Sequence, residues 1–299
     1  MKILTKLAYV GIIGKPNVGK STLINLLVGE KVSIIAEKPQ TTRQRILGIL
    51  TLENKAQLIF LDTPGWYEPK HLLGEYMLNV IKDTIKNSDV LLMLLDSSLE
   101  LEKEDLILLN ILKKEEKPYL IVLNKIDLVS KEKLEEKVKE LKEFGFSEEK
   151  IVKISALYGK NKEELLDKII EISPYGEFLY PPDMVSDQTD KFFISEIIRE
   201  KIIHLTYQEV PHSTAVYVDE IAERKNGNLI YIRATILVER TTQKSIIIGK
   251  DGSMLKKIGT LARMELEEYF KKQVYLDLWV KVKEKWRKKP EVLRELGYQ

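Results

Sequence analysis

The stretch GKPNVGKS, Gly14 to Ser21, places two glycines, a lysine and a hydroxyl where they could hold phosphate. Across Gly14, Lys15, Pro16, Asn17, Val18 and Gly19 the backbone N–H groups can turn inward as a nest of positive potential. Lys20 would reach the β- and γ-phosphates, and Ser21, followed by Thr22, would ligate magnesium. A plain glycine turn is the blander alternative. The stretch NKID, Asn124 to Asp127, can then choose the base. A carboxylate at Asp127 accepts hydrogen bonds from both the ring N–H and the amino group of guanine, whereas adenine presents no such donor pair, so a wrong base leaves a desolvated carboxylate unpartnered. Asn124, Lys125 and Asp127 could instead only cap a following helix. Ser155, Ala156 and Leu157 follow the next apolar run, where their backbone could meet the guanine carbonyl.

Between these stretches lie residues able to sense a third phosphate. In DTPG, Asp62 could hold magnesium through a water and the Gly65 N–H could touch the γ-phosphate, with Thr63 and Pro64 shaping the turn. The loop EKPQTTRQR offers Thr42, or else Thr41, as a further magnesium ligand present only with the triphosphate. An ordinary tight turn explains DTPG equally well. Lys20, Thr42 and Gly65 are therefore the candidate catalytic groups, and Ser21, Thr42 and Asp62 the candidate metal ligands.

A second glycine pair sits far along the chain in IIIGKDGSMLKKIG. It lacks Gly-Lys-Ser or Gly-Lys-Thr opening a helix, and no magnesium ligands accompany it, so a second nucleotide loop is a poor fit. A polyanionic backbone fits better. Gly249, Asp251, Gly252 and Ser253 would bring phosphate close to the main chain, while Lys250, Lys256 and Lys257 supply charge and Ile246, Ile247 and Ile248 line an apolar groove. A hairpin turn and a solvated lysine face are the alternatives.

The elements that must position these residues follow from the apolar pattern. Up to about residue 173, strand-length apolar runs (LAYVGIIG, AQLIFLD, DVLLMLLD, PYLIVLN, IVKIS) alternate with helix-like stretches. Runs buried on both faces imply an α/β domain with a mostly parallel sheet and helices on both faces. SPYGEFLYPPDMVSDQTD, ending at residue 190, is rich in Pro, Gly and Asp and reads as a linker. From Lys191 the order becomes helix, two strands, two helices, strand, a small α+β layout. The expected domains are thus 1–173, a linker 174–190, and 191–299.

The chain of 299 residues has a formal net charge of +2, yet residues 240–299 hold 15 basic against 8 acidic residues. Cysteine is absent and histidine occurs 3 times, which argues against disulfides and against a thiolate or histidine metal site. The opening MKILTKLAYVGIIG imitates a signal peptide but leads straight into the phosphate-loop candidate, so it reads as a first strand. No run approaches a membrane span of roughly 18–20 apolar residues. A cytoplasmic protein is expected. The tail KVKEKWRKKP interleaves Trp286 with basic residues and could reach RNA or, peripherally, the anionic inner face of the cell membrane; simple packing of Trp286 on the second domain is the preferred expectation.

GKPNVGKS, TT, DTPG, NKID and SAL stand in the order seen in translation-factor-like GTPases, which the chain resembles. IIIGKDGSMLKKIG resembles the Gly-x-x-Gly segment of a type II KH RNA-binding domain. A GTPase followed by one C-terminal KH domain is similar to the Era family of ribosome-assembly GTPases, over nearly the whole chain. That resemblance implies a magnesium-dependent P-loop GTPase binding GTP and GDP. It also implies a KH domain whose loop clamps about four single-stranded nucleotides, at the 3′ end of small-subunit ribosomal RNA, and contact with the small ribosomal subunit; a monomer is expected. GTP would order the loops around Thr42 and Gly65 and so alter RNA binding.

In small signalling GTPases a glutamine after Asp-x-x-Gly orients the attacking water. Here that residue is Trp66, and the Era-like branch is similar in carrying an apolar residue. Slow intrinsic turnover is expected. In some relatives the residue matching Asn17 helps bind potassium beside the phosphates. Two competing classes remain open: a non-hydrolysing, nucleotide-gated RNA scaffold, and a membrane-trafficking GTPase whose second domain contacts lipid or protein.

Overall fold

The computed structural model describes residues 5–36, 38, 41–69, 71–224 and 226–298. Glu37, Pro39 and Gln40 of the EKPQTTRQR loop lie outside the described residues. The chain forms two compact units, Met1–Glu68 with Met77–Asp187, and Pro69–Tyr76 with Gln188–Gln299.

The first unit contains strands β1 (Lys6–Ile13), β2 (Ile46–Leu52), β3 (Ala56–Asp62), β4 (Val90–Asp96), β5 (Tyr119–Asn124) and β6 (Ile151–Lys153). They form one sheet in the order β2-β3-β1-β4-β5-β6, parallel throughout except that β2 runs antiparallel to β3. Helices α1 (Lys20–Val28), α2 (Leu72–Asn87), α3 (Lys103–Lys114), α4 (Lys131–Glu143) and α5 (Lys162–Ile172) intervene. Strand β4 shows why its sequence is apolar without interruption. Leu92 and Leu94 enter the core that α1 and α5 share with one sheet face, while Leu91, Met93 and Leu95 enter the core on the other, as the two-residue period of a strand demands.

Two elements of this unit are absent from the sequence-based expectation. Strand β2 follows directly on a loop of polar residues, and α3 begins and ends on charged residues, Lys103, Glu104 and Asp105 at one end and Lys113 and Lys114 at the other. The segment expected as a linker is instead strapped to the first unit as far as Asp187. The Leu7 N–H donates to the Pro174 carbonyl at 3.0 Å, the Ile49 N–H to the Val185 carbonyl at 2.8 Å, and the Gln57 amide exchanges hydrogen bonds with the Tyr180 backbone at 2.8 and 3.0 Å. Proline and glycine here mark an irregular path, not a free one.

The second unit contains α6 (Asp190–Leu205), α7 (Val210–Ser213), β7 (Ala215–Arg224), β8 (Leu229–Val238), α8 (Thr241–Ile248), α9 (Ser253–Phe270), β9 (Gln273–Val282) and α10 (Pro290–Glu295). Its sheet has the order β7-β8-β9, with β7 and β8 antiparallel and β8 and β9 parallel. The parallel pair requires a crossover, and α8 and α9 supply it. Ile198, Ile232, Ile236, Ile258 and Leu266 meet in one buried core. Trp286 is fully buried, its indole N–H donating to the Ser213 carbonyl at 2.8 Å, so the tail's aromatic residue packs on its own unit. No helix among the described residues is long and apolar enough to cross a membrane.

Candidate functional sites

All the early motifs fall at the carboxyl ends of the parallel strands, where open α/β sheets bind ligands. Gly14 follows β1, Asp62 ends β3, Asp96 ends β4, Asn124 ends β5 and Ser155 follows β6. Together they surround a cavity of about 550 Å³. Its phosphate end is lined by Pro16, Asn17, Gly19, Lys20, Ser21, Thr22, Thr42, Thr63 and Gly65, and its far end by Asn124, Lys125, Asp127, Ala156 and Leu157.

Lys20 is buried, and its ammonium donates to the Gly14 carbonyl at 3.1 Å and the Lys15 carbonyl at 2.9 Å. An ammonium carries three donors, so this arrangement directs the third toward the cavity that Lys20 lines. Burial pulls its pKa down to about 8, opposed by Asp62. An arriving polyphosphate would supply the missing negative charge.

Asp62 is fully buried. Its Oδ2 accepts from the Ser21 hydroxyl at 2.8 Å, from the Ser33 hydroxyl at 2.8 Å and, more weakly, from Thr42 at 3.4 Å, while Oδ1 has no hydrogen-bond partner. Burial pushes the carboxyl up, and Lys20 with these hydroxyls holds it back. Ser21 Oγ lies 3.0 Å from Thr42 Oγ1. An orphaned carboxylate oxygen beside two hydroxyls is an all-oxygen donor set suited to magnesium, which keeps several waters and takes its other ligands from phosphate. Among the described residues no cluster of His, Cys, Asp and Glu forms an all-protein metal cage. The Thr41 hydroxyl is bonded to the Lys38 carbonyl at 2.6 Å, whereas the Thr42 hydroxyl is the one of the pair that faces Ser21 and Asp62. Sequence reasoning missed Ser33; an isolated serine ahead of an irregular loop carries no signal.

Gly65 is packed so that a Cβ would stand 2.5 Å from the Pro16 nitrogen, a distance no side chain tolerates. Next to it, the Trp66 N–H donates to the Gly14 carbonyl at 3.1 Å, and the Trp66 ring packs against the core. The indole is therefore turned to packing and not toward the cavity.

The side chains of several residues expected to touch nucleotide are engaged with neighbouring protein groups, which leaves their backbone to meet a nucleotide. Val18 is wholly buried in the core, a consequence of the loop needing an apolar anchor, and Lys15 turns its side chain to the Glu102 and Asp105 carboxylates, each 2.8 Å away. Asn124 donates to the Val18 carbonyl at 2.8 Å and accepts from the Ala156 N–H at 2.9 Å, so it splices loops together. Ser155 is buried with its hydroxyl accepting from the Tyr158 N–H at 3.3 Å, and Pro64 is buried under the turn. At the far end Asp127 is exposed beside Leu128, Leu157 and Tyr158, which are 64%, 70% and 74% exposed. These apolar walls suit a flat purine. Leu128 and Tyr158 escaped the sequence reading because a lone apolar loop residue is unremarked.

In the second unit, Gly249–Gly252 joins α8 to α9, with φ of 73° at Gly249, 50° at Asp251 and 78° at Gly252. The chain thus turns sharply and opens α9 with its free N–H groups. Lys250, Asp251, Ser253, Lys256 and Lys257 are exposed. A groove of about 590 Å³ runs from Gly252 between α9 and β9, lined by Leu255, Lys256, Gly259, Thr260, Arg263 and the strand residues Val274, Tyr275, Leu276 and Leu278. The expectation for the isoleucines needs correction. Ile247 is fully buried in the core and Ile248 packs against it, while only Ile246 is exposed, at 48%. Helical periodicity turns successive residues of α8 to different sides, so a triplet cannot line one groove. The same periodicity from Lys256 would have found Thr260 and Arg263.

Comparison with known proteins finds a match in each part of the chain. Residues 9–125 match the family described as 50S ribosome-binding GTPase, and residues 209–287 match the KH domain. The chain is 48% identical over 298 residues to GTPase Era of Clostridium kluyveri, covering 99% of this chain and 100% of that protein. It is similar to a solved structure of Era in complex with MgGDPNP and nucleotides 1506–1542 of 16S ribosomal RNA, at TM-score 0.94 and 45% identity over 98% of this chain and 99% of that one. An Aquifex aeolicus Era variant bound to GDP·AlF4− also superposes at TM-score 0.94, with 44% identity over 98% of this chain and 99% of that one. The chain, a P-loop GTPase domain followed by a KH domain, belongs to the Era family of GTPases.

Proposed function

We propose that the chain is a nucleotide-controlled RNA-binding switch of small-subunit assembly, gripping the single-stranded 3′ end of small-subunit ribosomal RNA when GTP is bound. The observation carrying this reading is the pairing of two different anion sites. One is a cavity with a base-selecting carboxylate at one end; the other is a shallower groove beside a glycine turn, which suits a polymer.

On this reading GTP and GDP occupy the cavity with the guanine against Asp127 and the phosphates on Lys20 and the loop N–H groups. Ser21 and Thr42 ligate magnesium directly and Asp62 acts through a water; the ion supplies positive charge at the β- and γ-oxygens. The Gly65 N–H meets the γ-phosphate. Asn17 stands exposed at the cavity and is assigned to potassium; hydrolysis equal in sodium and potassium salts removes that assignment. Gly249, Lys250, Gly252, Ser253, Lys256 and Lys257 hold RNA phosphates, with bases against Leu255, Leu276 and Leu278. The protein acts as a cytoplasmic monomer on the small ribosomal subunit. Burial of Trp286 favours RNA over a lipid surface as what its basic tail meets.

Ultraviolet crosslinking of the GTP-loaded protein to total RNA, followed by sequencing, tests the reading. Crosslinks concentrated at the small-subunit 3′ end support it; crosslinks scattered over all RNA, or none, overturn it. A single-turnover GTP assay with and without RNA separates this reading from a non-hydrolysing scaffold.

A further inference from the structure

We propose that Lys15 is a positioning residue for GTP hydrolysis: clamped by two carboxylates at the start of α3, Glu102 just ahead of the helix and Asp105 in its first turn, it fixes its own carbonyl as an aiming point for the Lys20 ammonium. The assignment rests on the phosphate loop holding the triphosphate.

The geometry forms a continuous chain. The Lys15 ammonium, on a side chain 8% exposed, lies 2.8 Å from Glu102 Oε2 and 2.8 Å from Asp105 Oδ2. Asp105 is buried, and the same Oδ2 accepts from the Glu102 N–H at 3.0 Å, so the far end of the clamp is the first turn of α3. At the near end the Lys15 carbonyl accepts from Lys20 at 2.9 Å. Gly14, the preceding residue, is pinned as well: its carbonyl accepts from Lys20 at 3.1 Å and from the Trp66 N–H at 3.1 Å. Two consecutive carbonyls therefore hold the reactive lysine, and the orientation of the second depends on a side chain anchored outside the cavity.

A space-filling role would be met more cheaply by an apolar residue, because a buried ion pair, here Lys15 with Asp105, seldom stabilises more than a hydrophobic replacement, while Glu102 adds an exposed arm to the clamp. An ammonium held by two acids fixes a direction, which an apolar side chain does not. Burial would lower the Lys15 pKa, yet Asp105 and Glu102 raise it above the ordinary lysine value, so the clamp is charged at working pH. The side chain does not line the cavity, hence its loss should misdirect Lys20 without removing a nucleotide contact.

The test compares the full chain with Lys15→Met, Lys15→Arg, Asp105→Asn and Lys20→Ala, measuring single-turnover GTP hydrolysis, the GTP dissociation constant and thermal stability. Misplacement of Lys20 predicts a turnover loss on the order of tenfold to a hundredfold in Lys15→Met, with the dissociation constant moving less than about threefold. Lys15→Arg, able to bridge both carboxylates, should restore turnover to within about threefold of the parent. A folded Lys15→Met with parental turnover, or a Lys15→Arg as slow as Lys15→Met, overturns the proposal. If Lys15→Met does not fold, Asp105→Asn, which keeps shape and removes charge, is read by the same criteria. Parental turnover in Lys20→Ala would instead overturn the phosphate-loop reading itself.

Discussion

The Asn124 side chain donates to the Val18 carbonyl at 2.8 Å and thereby ties the loop after β5 to the phosphate loop. Its amide oxygen takes the Ala156 N–H at 2.9 Å, so one buried side chain joins three loops. Asn124→Ala would leave a buried carbonyl and a buried N–H unpartnered, a loss of about 2–4 kcal/mol. Chemical denaturation should show it as a lower midpoint at unchanged slope, accompanied by weaker binding of GTP and GDP alike.

On the proposed function, Asp127 at the far end of the cavity selects the base. Asp127→Asn places an amide donor where guanine presents its own donors, and suits a base with a carbonyl at that position. Binding of GTP should fall by a factor on the order of 10⁴, while xanthosine triphosphate gains affinity. Competition titration against labelled nucleotide checks both halves.

Asp96 and Lys125 meet at 2.6 Å. Burial would raise the Asp96 carboxyl, but Lys125 and the Ser98 hydroxyl and N–H hold it below the usual carboxylate range. A folded-state pKa below the unfolded one contributes stability above the unfolded value, near 4, and that contribution is lost as pH falls through the depressed value. Asp96→Asn should therefore cost about 1–3 kcal/mol at pH 7, with the gap to the parent closing below about pH 4. Urea melts across pH 2–7 measure it.

Gly252 adopts φ of 78°, and no atom stands within 4 Å of where its Cβ would be. Gly252→Asp thus strains the turn modestly and sets a negative charge at the mouth of the groove. RNA binding should be lost while GTP turnover without RNA stays parental. Lys250→Ala should weaken binding to all sequences and reduce the salt slope by about one unit. Electrophoretic binding at several salt concentrations checks both.

What could be read in advance follows from how local each signal is. GKPNVGKS, DTPG and NKID are contiguous, each bound to one strand end, and the order of apolar runs places those ends together. Gly65 was legible as part of DTPG, whereas the choice between Thr41 and Thr42 was left open by the sequence and turned on which hydroxyl faces Ser21 and Asp62. Ser33 and Asp105 were not legible, because their roles arise only when residues distant in sequence, Asp62 and Lys15, come within bonding range. The groove was half legible: the glycine turn announced itself, but assigning Ile247 to the groove ignored that a helix turns consecutive side chains to different sides. Its other wall, Leu276 and Leu278 of β9, looked like ordinary core. Strand β2 was hidden by the polar loop before it, and the strap over residues 174–187 by a composition shared with free linkers.

The central claim is that the nucleotide in the first unit governs RNA binding by the second. Its most direct test is fluorescence anisotropy of a labelled single-stranded oligonucleotide carrying the small-subunit 3′-terminal sequence, titrated with protein saturated by magnesium and either a non-hydrolysable GTP analogue or GDP. Affinity at least tenfold tighter with the GTP analogue, about 1.4 kcal/mol of coupling, is the predicted result. Equal affinity in the two states, with both nucleotides shown to be bound, would contradict it.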